Sequence, residues 1–486
     1  MPLTPARYAL TPDLSISRVM TGLWQVADLE RHGQPLSLDQ AADALMPYAV
    51  AGFTTFDMAD HYGSAEDIVG HFGTRAGVPR VELFTKWVPE PGPISREQVR
   101  TAVHRARMRM RVPRIDLLQF HAWSYAHPSW LDAVFYLDEL RQEGLIRHLG
   151  VTNMDTAHLQ LLVESGVPVV SNQICYSLLD QRAAGAMAAY CELKGITILA
   201  FGTLAGGFLS DRWLHQAEPD WDALDTWSQM KYGRFVRAAG GWDALQRVLR
   251  IARQIADRHG VSIANVAART ILDAPGVGGV IIGARLGQSA HIADNARVDA
   301  LCLAEDDRHA MADVLQTLQR IPGDCGDEYR KPPFLTASGD LSHHVDAFPA
   351  AYPVQVDAGG RRRALSGTAW ESLAGYSRAV RVGDRILVSG TTATHGERVI
   401  GGRDPAAQTH FIIDKITGAI ESLGGRLDDV VRTRVYVSDV AHWEPVARAH
   451  GVRFAGIQPA NTMVCAGLIG DEYLVEIEAE AIAGAG

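Results

Sequence analysis

The stretch GFTTFDMADHYGSAE, residues 52–66, decides the fold. It opens on a short apolar run of strand type, Phe53-Thr54-Thr55-Phe56, and stops at an acid, Asp57. A loop carrying Asp60, His61, Tyr62 and Gly63 follows, after which Ser64 and Glu66 open a helix. A strand that ends in an acid, with a tyrosine on the next loop, is how a (β/α) barrel presents reactive groups at its C-terminal face. Two further strand-like runs end alike. VELFTKW places Lys86 at its edge, and IDLLQFHAW places His121 there.

Outward from this stretch the chain alternates strand-like and helix-like segments to about Pro322. The strand-like runs are RVMTGLW, TTFD, VELFTK, IDLLQF, RHLGVTN, VPVVSNQ, ITILAFG and VGGVIIG. Between them, residues 38–51, 96–109, 130–143, 156–164 and 181–194 repeat apolar side chains every three to four positions, as in Leu131, Val134, Phe135, Leu137 and Leu140. Eight such alternations in roughly 300 residues predict an α/β fold, a closed (β/α)8 barrel of TIM type, over 1–322. No GxGxxG follows the first strand, which argues against an open dinucleotide-binding sheet. The connection between the seventh and eighth strands is long and carries Trp213, Trp221, Trp227, Tyr232 and Trp242. A loop of that size is expected either to cover the barrel mouth as a lid or to pack as an aromatic cluster outside it.

Residues 323–362 are rich in Pro, Gly and Ser and read as a linker, in which His343-His344 has no partner ligands nearby and reads as solvated loop. From 363 to 486 the pattern becomes β-β-α-β-α-β, with two strands around the Val382-Gly383-Asp384 turn, and predicts a smaller α+β domain. The net charge of −10, with Arg361-Arg362-Arg363 the only tight basic run, speaks against a nucleic-acid partner. No run of about 18 apolar residues argues for a membrane span. Five widely spaced cysteines without a CxxC read as free thiols, and together with the absence of a signal-peptide pattern they predict a cytoplasmic protein. No metal site is expected.

Asp57, Tyr62, Lys86 and His121, in that order and each at a strand end or just beyond, resemble the catalytic tetrad of the aldo-keto reductases. The resemblance implies carbonyl–alcohol chemistry with a nicotinamide dinucleotide. Hydride delivery builds negative charge on the carbonyl oxygen, so a proton donor belongs there. Tyr62 is that donor by resemblance, and an unperturbed phenol titrates near 10. The Lys86 ammonium would ease proton release, Asp57 would hold the lysine, and His121 would hydrogen-bond or orient the substrate oxygen. A His at position 121 goes with C=O rather than C=C reduction in that family.

The same resemblance assigns the cofactor wall. Asn153 and Gln173 meet the carboxamide, with Ser171 and Asn172 beside them, and Phe201 stacks where the family has a Tyr. Residues 202–207, with Gly202 and Leu204, pass the pyrophosphate. Gly283, Ala284 and Arg285 match the phosphate turn, Asp294-Asn295 the adenine contacts, and Arg285 and Gln288 stand in for the 2′-phosphate contact. His291 aligns where NADPH-specific members have an Arg; NADP(H) is favoured and NAD(H) stays open. Trp24, Trp87 and Trp123 read as substrate-pocket walls, with Ser124-Tyr125 at the mouth.

The C-terminal segment resembles the RidA/YjgF family, a chorismate mutase-like fold, through Gly375-Tyr376-Ser377-Arg378-Ala379, Val388-Ser389-Gly390, Gln458-Pro459-Ala460 and Val475-Glu476-Ile477-Glu478. That resemblance implies a homotrimer with clefts between subunits for a small carbonyl or imine metabolite, lined by Tyr376, Asn461 and Glu476. Deaminating members carry an Arg where this chain has Asn461, and Asn lacks the bidentate cationic fork for a carboxylate. Imine deamination of that kind is therefore not expected. Two other readings remain beside the carbonyl reductase: a barrel that reduces an imine handled by the second domain, and a slow redox sensor that holds its cofactor.

Overall fold

A computed structural model of the protein describes residues 4–30, 33, 35–90, 92–125, 127–331, 333–336 and 349–485, so His343-His344 lies outside the described residues. The N-terminal strands are β1 (Arg7–Thr11), β2 (Leu14–Ser17), β3 (Val19–Gly22), β4 (Thr55–Asp57), β5 (Glu82–Trp87), β6 (Ile115–Phe120), β7 (Ile146–Thr152), β8 (Val169–Cys175), β9 (Thr197–Phe201) and β10 (Val277–Gly283). Strands β3 to β10 close into a parallel barrel, each paired with the next and β10 returning to β3. Their near-continuous apolar runs follow from burial on both faces, against the helices outside and the barrel interior within. The hairpin of β1 and β2 closes the N-terminal end, where Leu14 and Ile16 pack on Met20, Phe84, Leu117, Leu199 and Ile281.

Local signals set the helices between. Helix Arg96–Met110 starts at a capping box in which Ser95 Oγ accepts from Gln98 N and Gln98 Oε1 accepts from Ser95 N. It stops at Arg111 in the left-handed region. The helix after β4 begins at Ala65 rather than Ser64, because the Glu30 carboxylate takes both the Ser64 N–H (2.9 Å) and its hydroxyl (2.6 Å). Glycine is required at Gly63, where φ is 55° and a Cβ would stand 2.1 Å from Glu30 Oε2. The loop that carries Tyr62 is thus clamped on one side by Glu30.

The segment 323–362 is not wholly a linker. It carries helix Asp327–Arg330, packed into the barrel, and strand β11 (Val354–Val356), and strand β12 (Arg362–Ala364) begins at its last residue. The C-terminal domain adds β13 (Ala379–Val382), β14 (Arg385–Thr391), β15 (Thr394–His395), β16 (Arg398–Val399), β17 (Val430–Val437), β18 (Ala460–Cys465) and β19 (Val475–Ile482). Its main sheet runs β11-β12-β13-β14-β19-β17-β18, antiparallel except between β17 and β18. Helix Pro405–Ser422, capped by Asp404 with proline in its first turn, buries Ile412, Ile413, Ile416 and Ile420 on one side of that sheet. Along β19, Val475, Ile477 and Ala479 are buried while Glu476, Glu478 and Glu480 alternate onto the other face. The two domains meet where helix Thr156–Glu164 of the barrel packs on helix Pro405–Ser422. Among the described residues no helix is long and apolar enough to cross a membrane.

Candidate active site

Asp57 is the last residue of β4 and Lys86 the penultimate residue of β5, so neighbouring parallel strands bring them together at the C-terminal end. Lys86 Nζ donates to Asp57 Oδ2 at 2.7 Å and to the Met58 carbonyl at 2.8 Å, and both side chains are buried. The same ammonium stands 4.8 Å from the centroid of the Tyr62 ring. Burial pushes the Lys86 ammonium below its ordinary range, and the Asp57 carboxylate opposes that shift. His121, just past β6, is buried, and its Nε2 finds no partner among the described residues. Burial, with the nearby charges of Arg330, His61, Lys231 and Lys86, holds its pKa well below 6.5. At neutral pH the imidazole is uncharged and has one N–H to give.

Asp57 is itself held from the other side. Its Oδ1 accepts from Gln173 Nε2 at 2.7 Å and Gln119 Nε2 at 3.3 Å, and Gln173 Nε2 also lies 3.1 Å from Gln119 Oε1. Gln173, expected at the cofactor carboxamide, lines the cavity above these groups, and its amide nitrogen also serves Asp57. Gln119 was not singled out from the sequence; the signal was a lone amide inside the apolar run IDLLQF.

A cavity of about 820 Å³ opens above these groups, within the range of small-molecule and cofactor sites. Asp57, Tyr62, Lys86 and His121 line it, as do Trp24 and Trp123. Trp24 opens the short helix Trp24–Glu30 directly after β3. Trp87 is placed elsewhere: it is buried in the core, 5.9 Å from Phe120, and does not line the cavity. Lys86 points into the barrel, so the next residue on the strand turns to the helix layer. Ser124 is outside the wall, and Tyr125 stacks on His158 at 3.5 Å away from the mouth.

The rest of the wall fits a dinucleotide. Asn153 stands at φ 54° with its Oδ1 buried and unpartnered among the described residues, an acceptor suited to a carboxamide N–H. Phe201, Gly202 and Leu204 follow along the wall. A Cβ on Gly202 would meet the Tyr232 hydroxyl at 2.4 Å, and one on Gly206 the Ser228 carbonyl at 2.8 Å, so this loop depends on glycine for both its φ and its close approach. Gly283, Arg285, His291, Asp294 and Asn295 complete the far end. Arg285 donates to Asp28 Oδ2 at 2.9 Å and to Gln288 Oε1 at 3.1 Å, and Gln288 itself stays off the wall. Asp294 accepts from Ser262 and Asn265, which gives it a structural task as well. Asn172 bonds both ways with Met154 of the β7 loop, and the Ser171 hydroxyl is buried off the wall.

The long connection after β9 does both things expected of it. Phe208, Trp213, Trp221 and Trp242 pack together, while Ser210, Thr226, Gln229 and Lys231 face the cavity. Lys231 and Tyr329 on this wall were not picked out from the sequence. Among the described residues no three His, Cys, Asp or Glu side chains are placed to hold a metal ion.

In the second domain, Tyr376 lies 5.8 Å from the Arg378 guanidinium, and Arg378 donates to the Gly390 carbonyl. Glu476 sits against Gly390, its pKa raised by burial and opposed by Arg378. Asn461 is not with them: it pairs in register with Thr433, whereas Glu476 pairs with Tyr436, three residues further along β17. Its amide donates to the Thr433 hydroxyl at 2.9 Å.

The family model described as the aldo/keto reductase family matches residues 18–316, and the one described as endoribonuclease L-PSP matches residues 366–483. An uncharacterised protein of Streptomyces coelicolor is 39% identical over 125 residues, 26% of this chain and 93% of that protein. The protein tas of Escherichia coli is 27% identical over 286 residues, 50% of this chain and 80% of that protein. The structure of a glycerol dehydrogenase from Gluconobacter oxydans matches with a TM-score of 0.54 at 23% identity, covering 67% of this chain and 98% of that one, a likeness of fold.

Proposed function

Because this chain belongs to the aldo/keto reductase family, with a RidA/YjgF-type domain fused behind it, we propose that the barrel reduces a small aldehyde or ketone, or oxidises the matching alcohol or lactol, with Tyr62 as the proton donor. One observation carries the reading. The Lys86 ammonium lies between the Asp57 carboxylate, at 2.7 Å, and the Tyr62 ring, at 4.8 Å, on the wall of a cavity large enough for cofactor and substrate together.

A bound nicotinamide supplies or takes the hydride at the carbonyl carbon. Tyr62 gives its proton to the carbonyl oxygen, and the nearby ammonium stabilises the phenolate left behind. Asp57, fixed by Gln119 and Gln173, holds Lys86 in place. The neutral His121 donates to the same oxygen and orients it. Asn153 and Phe201 meet the nicotinamide end, residues 202–207 the pyrophosphate, and Gly283, Arg285 and Asn295 the adenosine end. NADP(H) is the preferred dinucleotide, with Arg285 toward the 2′-phosphate and Gln288, off the wall, only bracing Arg285. Asp28 shares Arg285, and NAD(H) is the alternative to compare.

The C-terminal domain assembles three copies of the chain and binds a small carbonyl or imine in the clefts between them. The exposure of β18 along nearly its whole length, with Leu387 and Val464 open on the sheet, supports that assembly. Without a guanidinium at Asn461 the cleft is a binding site rather than a standard imine deaminase. The unbonded state of the five thiols accords with a reducing, cytoplasmic setting. The test of the barrel is turnover of an aldehyde panel by the full chain, followed as nicotinamide absorbance, beside Tyr62→Phe. Full activity in that variant would remove Tyr62 from the chemistry.

A further inference from the structure

Asn153, whose side-chain oxygen faces the cofactor wall, holds a backbone that few residues adopt. Its φ of 54° lies in the left-handed region, which persists away from glycine only where the surroundings over-determine it. Here they do. The Asn153 N–H donates to the Gln173 carbonyl at 2.8 Å, and the Asn153 carbonyl accepts from Arg330 at 2.6 Å. Gly326 packs on that same carbonyl so closely that a Cβ would overlap it. The direction in which Asn153 presents its amide to the cavity is therefore set in part by where Arg330 sits.

Arg330 is a buried cation, placed by the groups that compensate its charge. It also donates to the Ala122 carbonyl at 3.0 Å, lies 4.5 Å from the Tyr125 ring centroid and stands 4.0 Å from Asp155 Oδ2. Asp155 does not serve Arg330 alone. It caps helix Thr156–Glu164 by accepting from the His158 N–H at 2.9 Å, and its two oxygens lie 2.7 and 2.8 Å from His158 Nδ1. The other nitrogen of that ring meets Asp414 Oδ2 at 3.0 Å, and Asp414 belongs to the C-terminal domain, where Arg453 holds its second oxygen. The side chains of Arg330, Asp155, His158 and Asp414 are each no more than 10% exposed, so their charges act on one another with little screening and removing one rearranges the rest.

We infer that Asp414 is a positioning residue for the barrel: through His158, Asp155 and Arg330 the C-terminal domain holds Asn153 in the form that binds the nicotinamide carboxamide, so that domain docking and dinucleotide binding strengthen each other. This rests on the reductase reading, in which a nicotinamide dinucleotide lies along the Asn153 wall. Without the Asp414 carboxylate the imidazole loses the acceptor on one side. His158 then holds Asp155 less firmly, and the Asp155 carboxylate closes on Arg330 and draws the guanidinium off the Asn153 carbonyl. Coupling between two binding events is reciprocal, so bound dinucleotide tightens the contact between domains by the factor that the contact tightens the dinucleotide.

The test follows NADPH binding to the full chain by quenching of tryptophan fluorescence, together with hydrogen exchange in helix Pro405–Ser422, which does not line the cavity. Asp414→Asn keeps the shape and removes the charge, and raises the NADPH dissociation constant by roughly 5- to 50-fold. In wild type, saturating NADPH slows exchange at residues 405–422 by a comparable factor. His395→Ala, which breaks a 2.9 Å contact with Asp132 elsewhere between the same domains, leaves the dissociation constant unchanged. Equal affinity in wild type and Asp414→Asn overturns the inference. So does an equal loss in His395→Ala, which would assign the effect to docking at large. Unchanged exchange in wild type overturns it whatever the variants do, and slower exchange sustains it should Asp414→Asn fail to fold. A wild type that binds neither NADPH nor NADH removes the reductase reading and this inference with it, an outcome distinct from the others.

Discussion

His158 Nε2 lies 3.0 Å from Asp414 Oδ2, so a histidine on a barrel helix is paired with an aspartate on the main helix of the C-terminal domain. The other ring nitrogen faces Asp155 at 2.7 Å, and Arg453 holds Asp414 at 2.6 Å. The Tyr125 ring stacks on the imidazole and Trp130 meets it edge-on, so the contact between domains is a buried charged cluster within an aromatic pocket. Arg330 adds positive charge over the Tyr125 ring, while burial, with Arg453 and His158, pushes the His410 pKa down to about 3 and leaves it neutral.

The cluster makes the contact between domains pH-dependent. Burial alone would lower the His158 pKa, but Asp155 and then Asp414 outweigh it and hold the value above 6.5. Asp414 is held below the ordinary carboxylate value: burial would raise it, and Arg453 and His158 outweigh that. A raised histidine contributes fully below its unfolded pKa and loses the contribution as pH climbs through the folded one. The lowered aspartate contributes above its unfolded value and loses it as pH falls through the folded one. Docking is therefore firmest in mildly acidic to neutral solution and loosens toward alkaline pH. Hydrogen exchange at residues 156–164 and 405–422 should speed up, beyond the intrinsic rate, between pH 6 and pH 9. Asp414→Asn, which removes one buried partner at about 3–5 kcal/mol, should already exchange fast at pH 6. Protection that does not change with pH in wild type would rule out this account.

On the proposed reductase chemistry, the Lys86 shift should set the alkaline limit of catalysis. The ammonium is needed beside Tyr62 and its pKa is lowered by burial, so kcat should fall at a pH below the ordinary lysine value of about 10.4. Asp57 is the largest influence opposing burial, so Asp57→Asn should move that limb to lower pH and reduce kcat on the plateau by roughly 10²-fold or more. A limb that stayed in place in Asp57→Asn would mean that a group other than Lys86 titrates there.

Gln119 and Gln173 hold Asp57 Oδ1 and, on the proposed chemistry, should act on the reaction through it. Gln173→Leu, which removes the 2.7 Å bond to Asp57 Oδ1, should lower kcat by about 10-fold and shift the alkaline limb, while leaving the dissociation constant for NADP(H) within a factor of about 2. A loss confined to cofactor affinity would return Gln173 to the carboxamide.

The barrel, and the placing of Asp57, Tyr62, Lys86 and His121 on one cavity, were legible because parallel strands buried on both faces have short apolar runs whose charged residues fall mainly where the sheet opens. Asp57, Lys86 and His121 are such ends. Trp87 could have been placed from period two alone, since it follows the inward Lys86 by one residue. Tyr329 could not. It lies in a stretch rich in Gly and Pro whose helix is fixed by Arg182, far away in sequence, through the Glu328 ion pair. The three-residue strands β11 and β12 are likewise completed by pairing, β11 with β12 and β12 with β13, rather than by any pattern of their own. Lys231 reads as an ordinary solvent-facing helix residue until the cavity beside it is known.

Asn461 gives the C-terminal cleft a test in the direction of gain. The Asn461 side chain is exposed in the single chain and donates to Thr433, so a longer guanidinium at that position meets no packing barrier within the chain itself. Glu476, with its pKa raised by burial, is a carboxyl able to position or deprotonate water. These two positions are three residues apart in register within one chain, so the assembled form is the one to use. Asn461→Arg should bind the carboxylate of 2-aminoacrylate in a bidentate fashion and release ammonia from it faster than wild type, when that enamine is generated in situ. Sedimentation should show the same assembly for both proteins. An intact assembly with no gain in ammonia release would mean that the missing guanidinium is not what separates this cleft from a deaminase, and that the surroundings of Tyr376 and Glu476 have changed as well.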